Sequence, residues 1–139
     1  MKNVSSSGLI ALMVLATNAM AGTPGEAPNC TKEKCVVNVL VNGNTCGGGI
    51  ALSPDPLITA AKSGPITITW KVLGDWEFDT NGINVVEAGK DFQLGTKEAG
   101  TWTATASTST KMVWRYDVNL VRKGKPAEKC SRDPTIVNK

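Results

Sequence analysis

The chain has 139 residues, no histidine, four cysteines and a formal charge of +3. So small a charge gives no electrostatic footprint for nucleic acid or an anionic membrane, and the loose group Arg122, Lys123, Lys125 and Lys129 brackets a turn at Gly124 and reads as solvated. The chain offers no histidine for general-base work, and no G-x-S-x-G nucleophile elbow is present.

Residues 1–21 have the make-up of a secretory signal peptide. Lys2 is the positive start, Leu9 to Ala16 the apolar run, and Ala19-Met20-Ala21 an A-x-A cleavage site. The run is well short of the roughly 20 residues that span a bilayer. Gly22, not a cysteine, follows the cut, so no lipid anchor and no stable membrane insertion are expected. Removing 21 of 139 residues leaves 118, the size of one domain. Residues 22–34, rich in Gly and Pro, read as a flexible leader, and 35–139 as a β-sandwich domain.

Cys35 to Val41 (CVVNVLV) alternates as the first strand, ahead of the turn signal Asn42-Gly43. Gly47, Gly48 and Gly49 lack the following helix of a phosphate loop, so a bulge or close backbone approach is expected. The prolines of Ser53-Pro54-Asp55-Pro56 end the next strand, Ile50 to Leu52, or make it an edge. Leu57 to Ala61 is a short apolar piece. Ile66 to Val72 (ITITWKV) points Ile66, Ile68, Trp70 and Val72 inward. Asp75 to Asn81 alternates, Ile83 to Val86 forms a separate strand after an Asn81-Gly82 turn, and Phe92 to Leu94 and Thr101 to Ser107 follow. Lys111 to Arg122 carries the clearest pattern: Met112, Trp114, Tyr116, Val118 and Leu120 share one face, and Val113 and Val121 are the apolar exceptions on the other. Thr135 to Val137 closes the series. The expected fold is an all-β, antiparallel, immunoglobulin-like β-sandwich of about seven to nine strands.

Cys30, Cys35, Cys46 and Cys130 form an even set in an exported chain, which points to two disulfides. A C-x4-C pair with no second pair and no histidine argues against a metal site. Four cysteines allow three connectivities, and spacing does not choose among them. A return strand that brings Cys130 beside Asp117, within reach of a loose leader, favours Cys30–Cys130 with Cys35–Cys46.

The comb Asp75-x-Glu77-x-Asp79-x-Asn81 loosely echoes a calcium loop. Thr80 stands where that loop needs Gly and Val86 where it needs a bidentate Glu, so the wet face of a strand explains it better. No cofactor or metal is expected. Trp70, Trp102, Trp114 and Tyr116 lie on the apolar parity of their strands and read as core. Trp76, in a short segment flanked by acids, reads as the exposed candidate for a partner contact.

Trp70 in a mid-chain strand and Tyr116-x-Val118 in a late one resemble the buried Trp and Tyr-x-Cys pattern of immunoglobulin-like sandwiches, with Val118 in place of the cysteine. The succession Cys46…Ser53-Pro54-Asp55-Pro56-Leu57, Ile66-x-Ile68-x-Trp70, Asn81-Gly82-Ile83, Tyr116-x-Val118-x-Leu120 and Asp133-Pro134-Thr135-Ile136-Val137-Asn138 is similar to a group of small exported bacterial proteins of unassigned function. That resemblance implies a periplasmic or secreted setting. The expected role is a non-catalytic binding or structural module of the bacterial envelope that recognises a protein or envelope partner; a secreted inhibitor of a foreign enzyme is the alternative, and a small envelope enzyme the less favoured one.

Overall fold

The computed structural model describes residues 28–30, 34–60, 65–98, 100–107 and 111–139. The expected signal peptide, 1–21, lies outside the described residues, as does most of the expected leader. Ten strands follow in order: β1 (Lys34–Val41), β2 (Ile50–Ser53), β3 (Leu57–Thr59), β4 (Ile66–Val72), β5 (Trp76–Val85), β6 (Phe92–Glu98), β7 (Thr101–Ala106), β8 (Met112–Arg122), β9 (Lys125–Arg132) and β10 (Thr135–Asn138). They make two sheets, β2-β1-β4-β7-β6 and β3-β10-β8-β5, with β9 also paired to β8.

The fold is all-β, as expected, but its sheets are mixed. β1 runs parallel to β4, and β10 parallel to β3. Parallel neighbours need a long crossover. Here the crossover from β1 to β4 passes through β2 and then β3, on the opposite sheet. Alternation of apolar residues fixes which face a strand buries and is blind to the direction of its neighbour, so the antiparallel expectation is corrected on this point.

Strand parity holds through β8, where Trp114, Tyr116, Val118 and Leu120 are buried. Met112, on the same parity, is exposed instead, because the end of the strand runs past the core with Val113 beside it. β9 and β10 dock on successive lengths of β8. Val118 to Arg122 pair with β9, Met112 to Arg115 pair with β10, and the Tyr116 N–H donates to Pro134 O between them.

Three aromatic pairs hold the two layers face to face, and each takes one ring from each sheet. Trp70 of β4 meets Tyr116 of β8 at 5.5 Å, Phe78 of β5 meets Trp102 of β7 at 5.8 Å, and Phe92 of β6 meets Trp114 of β8 at 5.0 Å. The last two are near edge-to-face, the arrangement the ring quadrupoles favour, worth about 0.5–1.5 kcal/mol beyond the buried area. Trp114→Ala would remove such a pair and leave a cavity, at a cost of about 3–5 kcal/mol.

Candidate functional site

The site grows from an irregularity in β5. Phe78 pairs with Leu120 and Ile83 with Val118, so four residues, 79–82, stand opposite the single Asn119. Asn81-Gly82 is therefore a bulge inside one strand, where the sequence suggests a turn between two. Gly82 is required there: a Cβ on it would lie 2.5 Å from Phe78 Cβ. The bulge folds over the outer face of β8 and is held by its neighbours. Asn119 Nδ2 donates to Asn81 O (2.8 Å), Ser131 Oγ donates to Asn119 Oδ1 (2.7 Å), and Lys129 Nζ reaches Asp79 Oδ2 (2.8 Å). That ammonium, with the Thr80 N–H, holds the Asp79 carboxyl below the ordinary carboxylate range.

A second bulge lies across from the first. In β6, residues 95 and 96 stand opposite the single Thr103, and Gly95 packs so closely on Thr103 that a side chain would collide with it. β5 and β6 are edge strands of opposite sheets, and their bulges flank a cleft of about 460 Å³. Its apolar floor is Leu94, which is exposed, with the little that Ile83 and Trp102 leave uncovered (1 % and 8 %); its rim is Asn81, Asn84, Asn119 and Asp117. A second cleft of about 410 Å³, on the far side of the bulge, shares Asn81 and Asn119 and continues to Lys129 and Ser131. Asn84 Nδ2 donates to Asp117 Oδ2 at 3.0 Å, which orients the one carboxylate of the first cleft.

The sequence did not single out this site. Asn84, Asp117 and Asn119 are ordinary outward residues of strands, Leu94 is on the inward parity of β6 with Phe92, and only register brings them together. Trp102, expected in the core, is buried there, with 8 % of its surface left exposed at the cleft.

Trp76, expected at the surface, is buried. It shares parity with Phe78 in a strand of ten residues, and the Asn44 side chain caps its indole N–H at 3.0 Å. Asp75 is turned to Asn44, Asp79 is turned to Lys129, and Glu77 lies between them on the wet face, so these acids do not converge. Among the described residues, no group of three or more His, Cys, Asp or Glu is placed to hold a metal.

The four cysteines form two disulfides, with a different pairing from the favoured one: Cys30–Cys35 and Cys46–Cys130, each with Cα atoms 5.4 Å apart. Cys130 faces inward opposite Leu120, not beside Asp117, and so meets the loop after β1. Cys30 is not loose. Its N–H and that of Asn29 donate to Ile58 O, which docks residues 28–30 along β3.

No family model and no curated protein matches this chain. The clefts are therefore read from their own chemistry. Among the described residues, no helix is long and apolar enough to cross a membrane.

Proposed function

We propose that this protein is a non-catalytic binding module, exported to the periplasm or beyond and built on an immunoglobulin-like sandwich, with the β5–β6 cleft as its ligand site. The observation that carries the reading is the pair of facing bulges. Each is locked by a glycine that has no room for a side chain, and together they flank the cleft, with Leu94 exposed on its apolar floor beneath an amide rim. A floor of this kind with a few convergent polar groups is the usual make-up of a small-molecule or side-chain site. Its lining includes one carboxylate, whereas acid–base hydrolysis at a glycosidic bond takes two. Disulfides, the signal-peptide pattern and the resemblance to small exported bacterial proteins support the setting.

The secreted-inhibitor reading has one observation in its favour. The loop Asn42–Gly49 is exposed and is fastened by Cys46–Cys130 and by the bond from Trp76 to Asn44. Its tip carries neither charge nor aromatic ring.

The test is retention of envelope components on the immobilised protein, compared with a cleft variant, Asn84→Ala/Leu94→Ala, and a loop variant, Asn44→Ala. Loss of a retained component in the cleft variant alone supports the proposal. Loss in the loop variant alone favours the inhibitor, and equal retention by all three removes the cleft as the site.

A further inference from the structure

We infer that the β5–β6 cleft takes a neutral saccharide; this rests on the cleft being the ligand site. The first observation is the balance of charge. The lining holds three amides, one carboxylate and three apolar side chains, with no Lys or Arg. Within this lining a phosphate, a nucleotide or an acidic sugar finds no counter-charge, because the ammoniums of Lys97 and Lys129 beside it are turned to Asp79, and desolvating an unpaired anion is costly. The one carboxylate, Asp117, already accepts from Asn84 through Oδ2, so it is not set up as a lone anchor for a cation.

The second observation is the kind of polar group. An amide offers an acceptor and two donors side by side, and a carboxylate offers acceptors only. A sugar hydroxyl both donates and accepts, so a row of vicinal hydroxyls pairs with Asn81, Asn84, Asn119 and the remaining oxygen of Asp117 without leaving a group unmatched. The rim is also pre-ordered. Asn119 is fixed from both ends, by its bond to Asn81 O and by that from Ser131, so binding does not have to freeze it.

The third observation is the floor. Pyranose rings carry polar hydroxyls at their rim and apolar C–H faces, and Leu94, with the small exposed parts of Ile83 and Trp102, gives such a face an apolar seat. A volume of about 460 Å³ falls within the range of small-ligand clefts, roughly 300–1,000 Å³. The second cleft continues the groove beyond Asn81 and Asn119, and its Lys129 is already paired with Asp79, which suits a neutral oligosaccharide over a single sugar. A lipid chain fits poorly, because four of the seven lining residues are polar and the cleft is open to water.

The test is a two-dimensional ¹H–¹⁵N NMR titration of the protein, both disulfides formed, with cellotetraose, maltotetraose and chitotetraose at millimolar concentration. Inorganic phosphate and glucose 6-phosphate serve as charged probes. The expected result is a saturable shift of the Asn81, Asn84 and Asn119 side-chain amides and of the Trp102 indole N–H with at least one neutral oligosaccharide. Asn84→Ala/Leu94→Ala should weaken it by ten-fold or more while the rest of the spectrum is unchanged. Saturable shifts with the phosphates, or shifts mapping away from the cleft, would overturn the inference. So would silence from the whole panel: if the cleft variant still lost an envelope component, the cleft would remain a site for some other ligand, and if it lost none, both readings would fall.

Discussion

Along the β2–β9 flank the two sheets are fastened to one another. Cys46–Cys130 crosses from the loop after β1 to β9, Arg132 Nη1 donates to Ile50 O at 2.8 Å, and the same guanidinium pairs with Asp55. Along the β5–β6 flank the corresponding strands are bulged, and the gap between them is the cleft. The comparison teaches how a small sandwich can keep one side irregular. A covalent closure on one flank limits how far the layers can separate, so the other flank can give up ladder hydrogen bonds. The bulges also spoil β5 and β6 as templates for edge-to-edge pairing, a hazard of exposed edge strands.

The largest test of this division is to open the closed flank. Cys46 and Cys130 are 84 residues apart, and on the chain-entropy model closing a loop of that length contributes about 4.6 kcal/mol. Cys46→Ala/Cys130→Ala should lose a comparable amount in guanidinium denaturation, while the Asn84 side-chain amide of the first cleft, which Cys130 does not line, keeps its position in the folded state. A loss below about 1 kcal/mol would mean that Arg132 and the core already close this flank.

The next test uses Tyr116, the only tyrosine in the chain. Burial pushes its hydroxyl up from 10.0 to about 12, with the charges of Asp55 and Arg132 acting in opposite senses. The neutral phenol is the buried form, so its contribution is fully present below pH 10. It falls by about 1.4 kcal/mol per pH unit as the pH rises from 10 to about 12, a loss of roughly 2.7 kcal/mol in all. Chemical denaturation across that window, with Tyr116→Phe as the control that flattens it, measures the effect.

On the open flank, Gly82→Ala should cost about 1–3 kcal/mol through its collision with Phe78. It should shift the Asn81 and Asn84 amides and leave the Cys46 loop untouched. The smallest expected effect belongs to calcium. Asp75 and Asp79 are already turned to Asn44 and Lys129, so millimolar calcium should leave the melting temperature where it was, whereas a bound ion would raise it by mass action.

Much of the sandwich was legible because inward residues recur at every second position, and Ile66 to Val72, Thr101 to Ala106 and Trp114 to Leu120 all bury the side the pattern named. The site was not. Asn81-Gly82 has the same chemistry in a bulge as in a turn, and reading it as a turn cut β5 in two. The fragment left around Trp76 then looked too short to bury its ring. The pairing of Cys130 failed for a related reason: which side of β9 it faces depends on the register with Leu120, and that register is set by a hairpin whose bulge lies between Val121 and Arg122. Local pattern reports faces; register and direction belong to the assembled sheet.

β3 has three residues, yet it is flanked on both sides. Residues 28–30 run parallel to it with Cys30 opposite Thr59, and β10 runs parallel to it on the other side, where Lys139 N–H donates to Thr59 O. A pulling force applied between Asn29 and Lys139 draws the two flanking segments in opposite directions along the axis of β3. Its hydrogen bonds are then loaded in shear, all together, and not unzipped one at a time.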